Sequence, residues 1–239
     1  MTLLEICVDD AAGLDAALAG GADRIELCAA LELGGLSPTP GLVALAAKKA
    51  RSARAMVRPR PGDFVFTQGD MAGMLAEIAA IRASGIEGVV LGANLPDNRL
   101  DVEKLAALAK AAEGMGRTLH RCIDLVPDMA EAVETAVALG FDTILTSGGA
   151  LSAPEGLDAL ERAHRVAAGR LTIMAGAGVN AVTAPQILAR VRLGALHGSC
   201  SEPAPEPGGK AQRLGFASPL RRMTSTTRVA ALKAAIQAG

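Results

Sequence analysis

In the run ADRIELC (22–28), Arg24, Glu26 and Cys28 stand at every second position. Alternate residues of an extended chain share a face. A guanidinium, a carboxylate and a thiol therefore point one way there, and Ile25 and Leu27 the other. The spacing recurs in EICV, as Glu5 and Cys7, and in HRCID (120–124), as His120 and Cys122. An imidazole beside a carboxylate can move protons. A thiolate is a nucleophile or a soft metal ligand. Arginines bind oxyanions in bidentate fashion, and RPRPGDF (58–64) places Arg58 and Arg60 around Pro59, with Asp63 close behind. HRCID adds Arg121 and Asp124, ILTSGG adds Thr146 and Ser147, MAGAGV adds Gly176 and Gly178, and LHGS adds His197.

These residues need a scaffold, and the chain repeats one. A helical run rich in Ala and Leu, a Gly, and a short apolar strand recur in LAGGADRIELC (18–28), RASGIEGVVLG (82–92) and VALGFDTILTSG (137–148). The Gly is the residue that lets a helix end in a left-handed conformation. Strands are expected over 3–8, over the five or six residues ending at 28, and over 54–59, 88–92, 117–122, 141–146, 171–175 and 195–199. Helices are expected between them, with 226–238 as the closing one. Strand–helix units repeated in this order predict a (β/α)8 TIM barrel. One domain over residues 1–239 is expected, with 202–225 an irregular loop whose Pro/Gly/Glu-rich start, 202–209, is mobile.

Covered parallel strands are ordinarily apolar, so the polar rows in this chain point into the barrel. In such barrels the chemistry lies at the C-terminal strand ends. The candidate residues above fall there, and the fourth strand end, Gly92-Ala93-Asn94, is nearly bare. Two readings of Glu5, Glu26, Arg58 and His120 compete: a buried ion network, or a site.

The 239 residues are half hydrophobic, with four Phe and no Trp or Tyr, so the core is aliphatic. A net charge of −1 gives no electrostatic case for nucleic acid or an anionic membrane surface. No secretory signal or long apolar run is visible, so the expected compartment is the cytoplasm. The four cysteines are far apart and without CxxC spacing, which is expected of reduced thiols.

EICV, GADRIELC followed by GGLSP, VRPRPGDF, HRCID, ILTSGG, MAGAGV and LHGS, in that order over residues 4 to 199, resemble the CutC family of copper homeostasis proteins. The chain departs from the family pattern at Leu119, Cys122 and Ile123, where FHRAFD is usual. It departs also at Phe66, in place of Tyr, and at Leu196, in place of an acid before the last His. The resemblance implies a TIM barrel, a homodimer and a copper-handling role. Cys28 is then the first choice of Cu(I) ligand and Cys7 the second. The rim supports an alternative, a metal-independent enzyme acting on a small phosphorylated or carboxylated metabolite. His120, Glu26 and Asp124 would be its catalytic groups. Arg58, Arg60, Arg121, Ser147, Gly176, Gly178 and His197 would be its anion-binding set. No nucleotide cofactor is expected under either reading.

Overall fold

Short apolar strands separated by helices cannot bury both faces alone, and they are buried here by closing on themselves. The computed structural model describes residues 2–205, 209–216 and 220–238. The barrel strands are β1 (Leu3–Val8), β2 (Arg24–Leu27), β3 (Ala53–Met56), β4 (Gly88–Leu91), β5 (Gly116–Leu119), β6 (Thr143–Thr146), β7 (Thr172–Ala175) and β8 (Ala195–Gly198). All pair in parallel with their sequence neighbours, and β8 closes on β1, so the molecule is a (β/α)8 TIM barrel.

The outer layer comprises α1 (Ala11–Ala19), α2 (Pro40–Lys49), α3 (Gln68–Ser84), α4 (Val102–Ala111), α5 (Met129–Ala138), α6 (Leu157–Ala167) and α7 (Thr183–Arg190). Their starts follow ordinary capping chemistry. Asp10, Asp101 and Asp128 accept from the first turns of α1, α4 and α5, and Thr67 and Asp70 form a reciprocal capping box on α3. The main apolar core lies between strands and helices, with Leu4, Ile6, Ile25, Leu27, Leu91 and Leu119 fully buried in it.

Residues 202–225 are not irregular throughout. They contain β9 (Ser201–Pro203), the short α8 (Gly209–Arg213) and β10 (Arg222–Thr224), and β9 pairs antiparallel with β10 before α9 (Thr226–Ala238). Pairing across 21 residues of sequence leaves no local periodicity to read. Of the stretch expected to be mobile, residues 206–208 lie outside the described residues.

Two strands, β3 and β5, end about three residues sooner than their sequences predict. β3 stops at Met56, ahead of Arg58-Pro59, since proline lacks the N–H a ladder needs. β5 stops at Leu119, where His120 caps a 3-10 turn over Arg121–Leu125. Cys122 is therefore on that turn and buried in the outer core, away from the face His120 shares with the barrel interior.

Candidate functional site

The interior is built in levels from alternate residues of each strand. At the lower level, Arg54 of β3 crosses the barrel and donates through one Nη to Thr118 Oγ1 (2.7 Å) and Asp142 Oδ1 (2.6 Å). Its seat is made by glycine. A Cβ at Gly116 would lie 2.7 Å from the Arg54 guanidinium, and one at Gly88 would lie 3.0 Å from its Cγ. This floor was not foreseen from sequence. Its only signal is the parity of Arg54 with Met56 and Arg58, because the acid it pairs with is 88 residues away.

Above the floor, Glu5, Arg24, His197 and Glu26 form a connected charge cluster. Arg24 Nε donates to Glu5 Oε2 at 2.5 Å, and His197 Nδ1 lies 2.8 Å from Glu5 Oε1. His197 Nε2 faces Glu26 Oε2 at 3.7 Å. Burial alone would raise the pKa of Glu5, but the His197 hydrogen bond and the charges of Arg24 and His197 outweigh it and hold the carboxyl at about 2. Burial also opposes charge on His197, and the neighbouring Cys7, Glu26 and Glu5 overcome it, keeping the imidazole protonated well above its usual range. Glu26 lacks comparable support. Burial, with Glu5 adding repulsion, pushes it up to about 7 against the pull of His197. Its Oε1 is buried without a hydrogen-bond partner.

The thiols sit on this cluster. Cys28 Sγ donates to Glu26 Oε2 at 3.5 Å, and Cys7 Sγ contacts the Gly198 carbonyl at 3.8 Å. One ligand atom each from Cys7, Glu26 and His197 fall within 4.8 Å of one another. Cys7, Cys28 and Met56 pack with Val90 in a small buried cluster separate from the outer core. Burial and the adjacent Glu26 carboxylate push the Cys28 thiol well above its ordinary pKa. Cys200, beyond β8, is half-buried and is pushed up to about 11, chiefly by burial.

These groups open onto a cavity of about 670 Å3 at the C-terminal end of the barrel, lined also by His120, Arg58 and Arg121. His120 is 3% exposed and packs at a tilt against Phe64, with ring centroids 4.8 Å apart. Its Nδ1 accepts from the Cys122 N–H at 3.2 Å, so Nε2 carries the proton, and that atom has no partner. Burial first, and the charge of Arg58 second, depress its pKa to about 3, which keeps the ring neutral.

The arginines divide. Arg58 reaches the cavity but spends its terminal N–H groups on the carbonyls of Leu33, Gly35 and Gly62, clipping the loop after β2 to the loop after β3. Its Nε alone is unpaired. Arg60 lies outside the cavity lining, held by Asp63 (2.9 Å) and Asp70 (3.3 Å). The paired clamp expected of Arg58 and Arg60 is thus split, because Pro59 sends the two side chains apart. Arg121 lines the cavity while paired with Asp124 at 2.7 Å. Asp124 also accepts from Thr146, from the N–H and hydroxyl of Ser147, and from the Gly149 N–H. That set of bonds makes Asp124 the anchor of the β6 end and leaves it and Ser147 off the lining. Gly178 lines the cavity; Gly176 instead lies beneath it, where a Cβ would meet Leu145 at 2.6 Å. Arg222 and Arg228 also line the cavity, brought in by β10 and α9 from a segment that carries no rim motif.

Residues 2–202 match the model of the CutC family. A family protein CutC of Rhizobium meliloti (strain 1021) is 51% identical over 235 residues, 98% of this chain and 96% of the relative. That of Caulobacter vibrioides (strain NA1000 / CB15N) is 47% identical over 238 residues, 99% and 97% of the two chains. Among solved structures, CutC of Streptococcus agalactiae, described there as a candidate copper homeostasis protein, superposes with a TM-score of 0.79 at 28% identity. It covers 83% of this chain and 99% of its own.

Proposed function

The chain belongs to the CutC family, and from that premise we propose that it is a copper homeostasis protein that binds Cu(I), as cargo, at the barrel mouth. The observation that carries the reading is the buried grouping of Cys7, Cys28 and Met56 beside His197. Cu(I) favours thiolate and thioether donors, and Cys7, Cys28 and Met56 supply them, with the protonated His197 a neighbouring positive charge rather than a ligand. Cys28 and Cys7 would be the principal ligands, with Met56 and His197 adjacent. Glu26 is a poor direct ligand for a soft ion but a fitting acceptor for the proton that Cys28 loses on binding. Among the described residues no helix is long and apolar enough to cross a membrane. A cytoplasmic homodimer is the setting in which we place this function.

Copper retained after desalting under reducing conditions tests the reading. The parent should hold Cu(I), and Cys28→Ser should lose most of it while keeping its circular dichroism spectrum. Equal retention by both would remove Cys28 from the site. Cu(I) affinity should also rise with pH, because a thiol held above its ordinary pKa must give up a proton to bind.

A further inference from the structure

The cavity wall between β7 and β8 carries backbone donors that the copper reading does not use. The N–H groups of Ala177, Gly178 and Val179, and those of Ser199 and Cys200, make no hydrogen bond among the described residues, and all five residues line the cavity. Ala177, Gly178 and Cys200 have φ of 68°, 72° and 44°. Turns with left-handed residues gather successive N–H groups into anion-binding concavities.

Charge around the cavity agrees. Arg121, bound to Asp124, Arg222, bound to Ser201, and Arg228 line the cavity, and Glu26 is the one carboxylate among the described lining residues. Arg228 is held by an exposed ion pair with Glu202 at 3.4 Å, a kind of contact that contributes little and can be exchanged. His120 presents Nε2–H to the same cavity, buried and without an acceptor among the described residues. A buried donor left unmade is costly, so it calls for a ligand oxygen. The volume suits a metabolite-sized ligand. Five N–H donors and the exchangeable Arg228 guanidinium exceed what a planar carboxylate can accept, and they match the three terminal oxygens of a phosphate.

We propose that the cavity binds a small phosphate monoester, its phosphate on the β7 and β8 turns beside Arg228 and a hydroxyl or carbonyl oxygen on His120 Nε2–H. Neither thiol takes part, so this proposal and the copper reading fail separately.

The test uses full-length, metal-free protein in chelator and reductant, titrated with inorganic phosphate, glycerol 3-phosphate and, as the uncharged control, glycerol. Both phosphates should bind, glycerol 3-phosphate more tightly, and glycerol should not. Arg228→Ala should weaken both phosphates by about tenfold, the scale of one charge-assisted hydrogen bond. Arg228→Lys should restore part of that loss. His120→Phe, which removes the donor, should erase the preference for glycerol 3-phosphate and leave inorganic phosphate unchanged. Absence of phosphate binding to the parent, or equal binding by parent and Arg228→Ala, would overturn the site. An unaltered preference in folded His120→Phe would overturn the role given to His120.

Discussion

Glu26 is the least comfortable residue of the interior charge cluster. Glu5 receives Arg24 and His197 on its two oxygens, whereas Glu26 has a 3.7 Å approach from His197, a weak thiol donor and one bare oxygen. Its folded pKa of about 7 is above that of a free carboxyl, so the native state prefers the protonated form. The penalty is absent below the unfolded pKa, near 4.5, and develops fully as pH rises through about 7. Glu26→Gln in the metal-free protein should therefore be nearly neutral at pH 4 and stabilising at pH 8. The gain is at most about 3 kcal/mol, read from urea midpoints. Glu5 runs the other way. Held at about 2, it contributes stability present above pH 4.5 and lost as pH falls toward 2. Glu5→Gln should flatten the acid limb of the same profile and lower stability at neutral pH, because Arg24 is left buried without its carboxylate. The pairing of polar residues with a closed interior was legible from parity alone on β1 and β2. Which carboxylate is stabilised and which is strained was not, because it depends on His197, 192 residues from Glu5.

At the scale of elements, the strands act as rulers and the glycines as sockets. A Cβ at Gly92, just after β4, would stand 2.4 Å from both the Cys122 sulfur and the His120 ring. The bareness of that strand end in sequence is thus the space that His120 occupies. Gly92→Ala should displace the imidazole and cost about 2 kcal/mol or more. The cost should appear as a lower thermal midpoint, with a shift of the His120 ring resonances. Gly116→Ala, pressed against the Arg54 guanidinium, should destabilise on a similar scale without moving His120. The repeat of helix, Gly and strand made the element order readable, with boundaries mostly within a few residues. The misreadings share a cause. Pro59 and the His120 cap end β3 and β5 through loop hydrogen bonds that leave the apolar pattern unchanged. Arg60 looked free beside Arg58 because Asp63 and Asp70 are brought to it only by the turn into α3.

The whole molecule places two kinds of chemistry in one cavity. Sulfur donors of β1 to β3 lie at its base beside the charge cluster of β1, β2 and β8, and cationic groups with open backbone donors lie on the turns after β7 and β8 and on β10 and α9. The second group was only partly visible beforehand. MAGAGV and LHGS marked the turns, but Arg222 and Arg228 enter from a segment whose β9–β10 pairing has no local signature. The proposed copper site is the central claim, and the identity of the atoms around the metal tests it most directly. X-ray absorption on the Cu(I)-loaded protein should show a first shell dominated by sulfur. Cys28→Ser and Cys7→Ser should each reduce the sulfur contribution. A first shell of oxygen and nitrogen alone, or one unchanged in both variants, would contradict the assignment of Cys28 and Cys7 as the ligands.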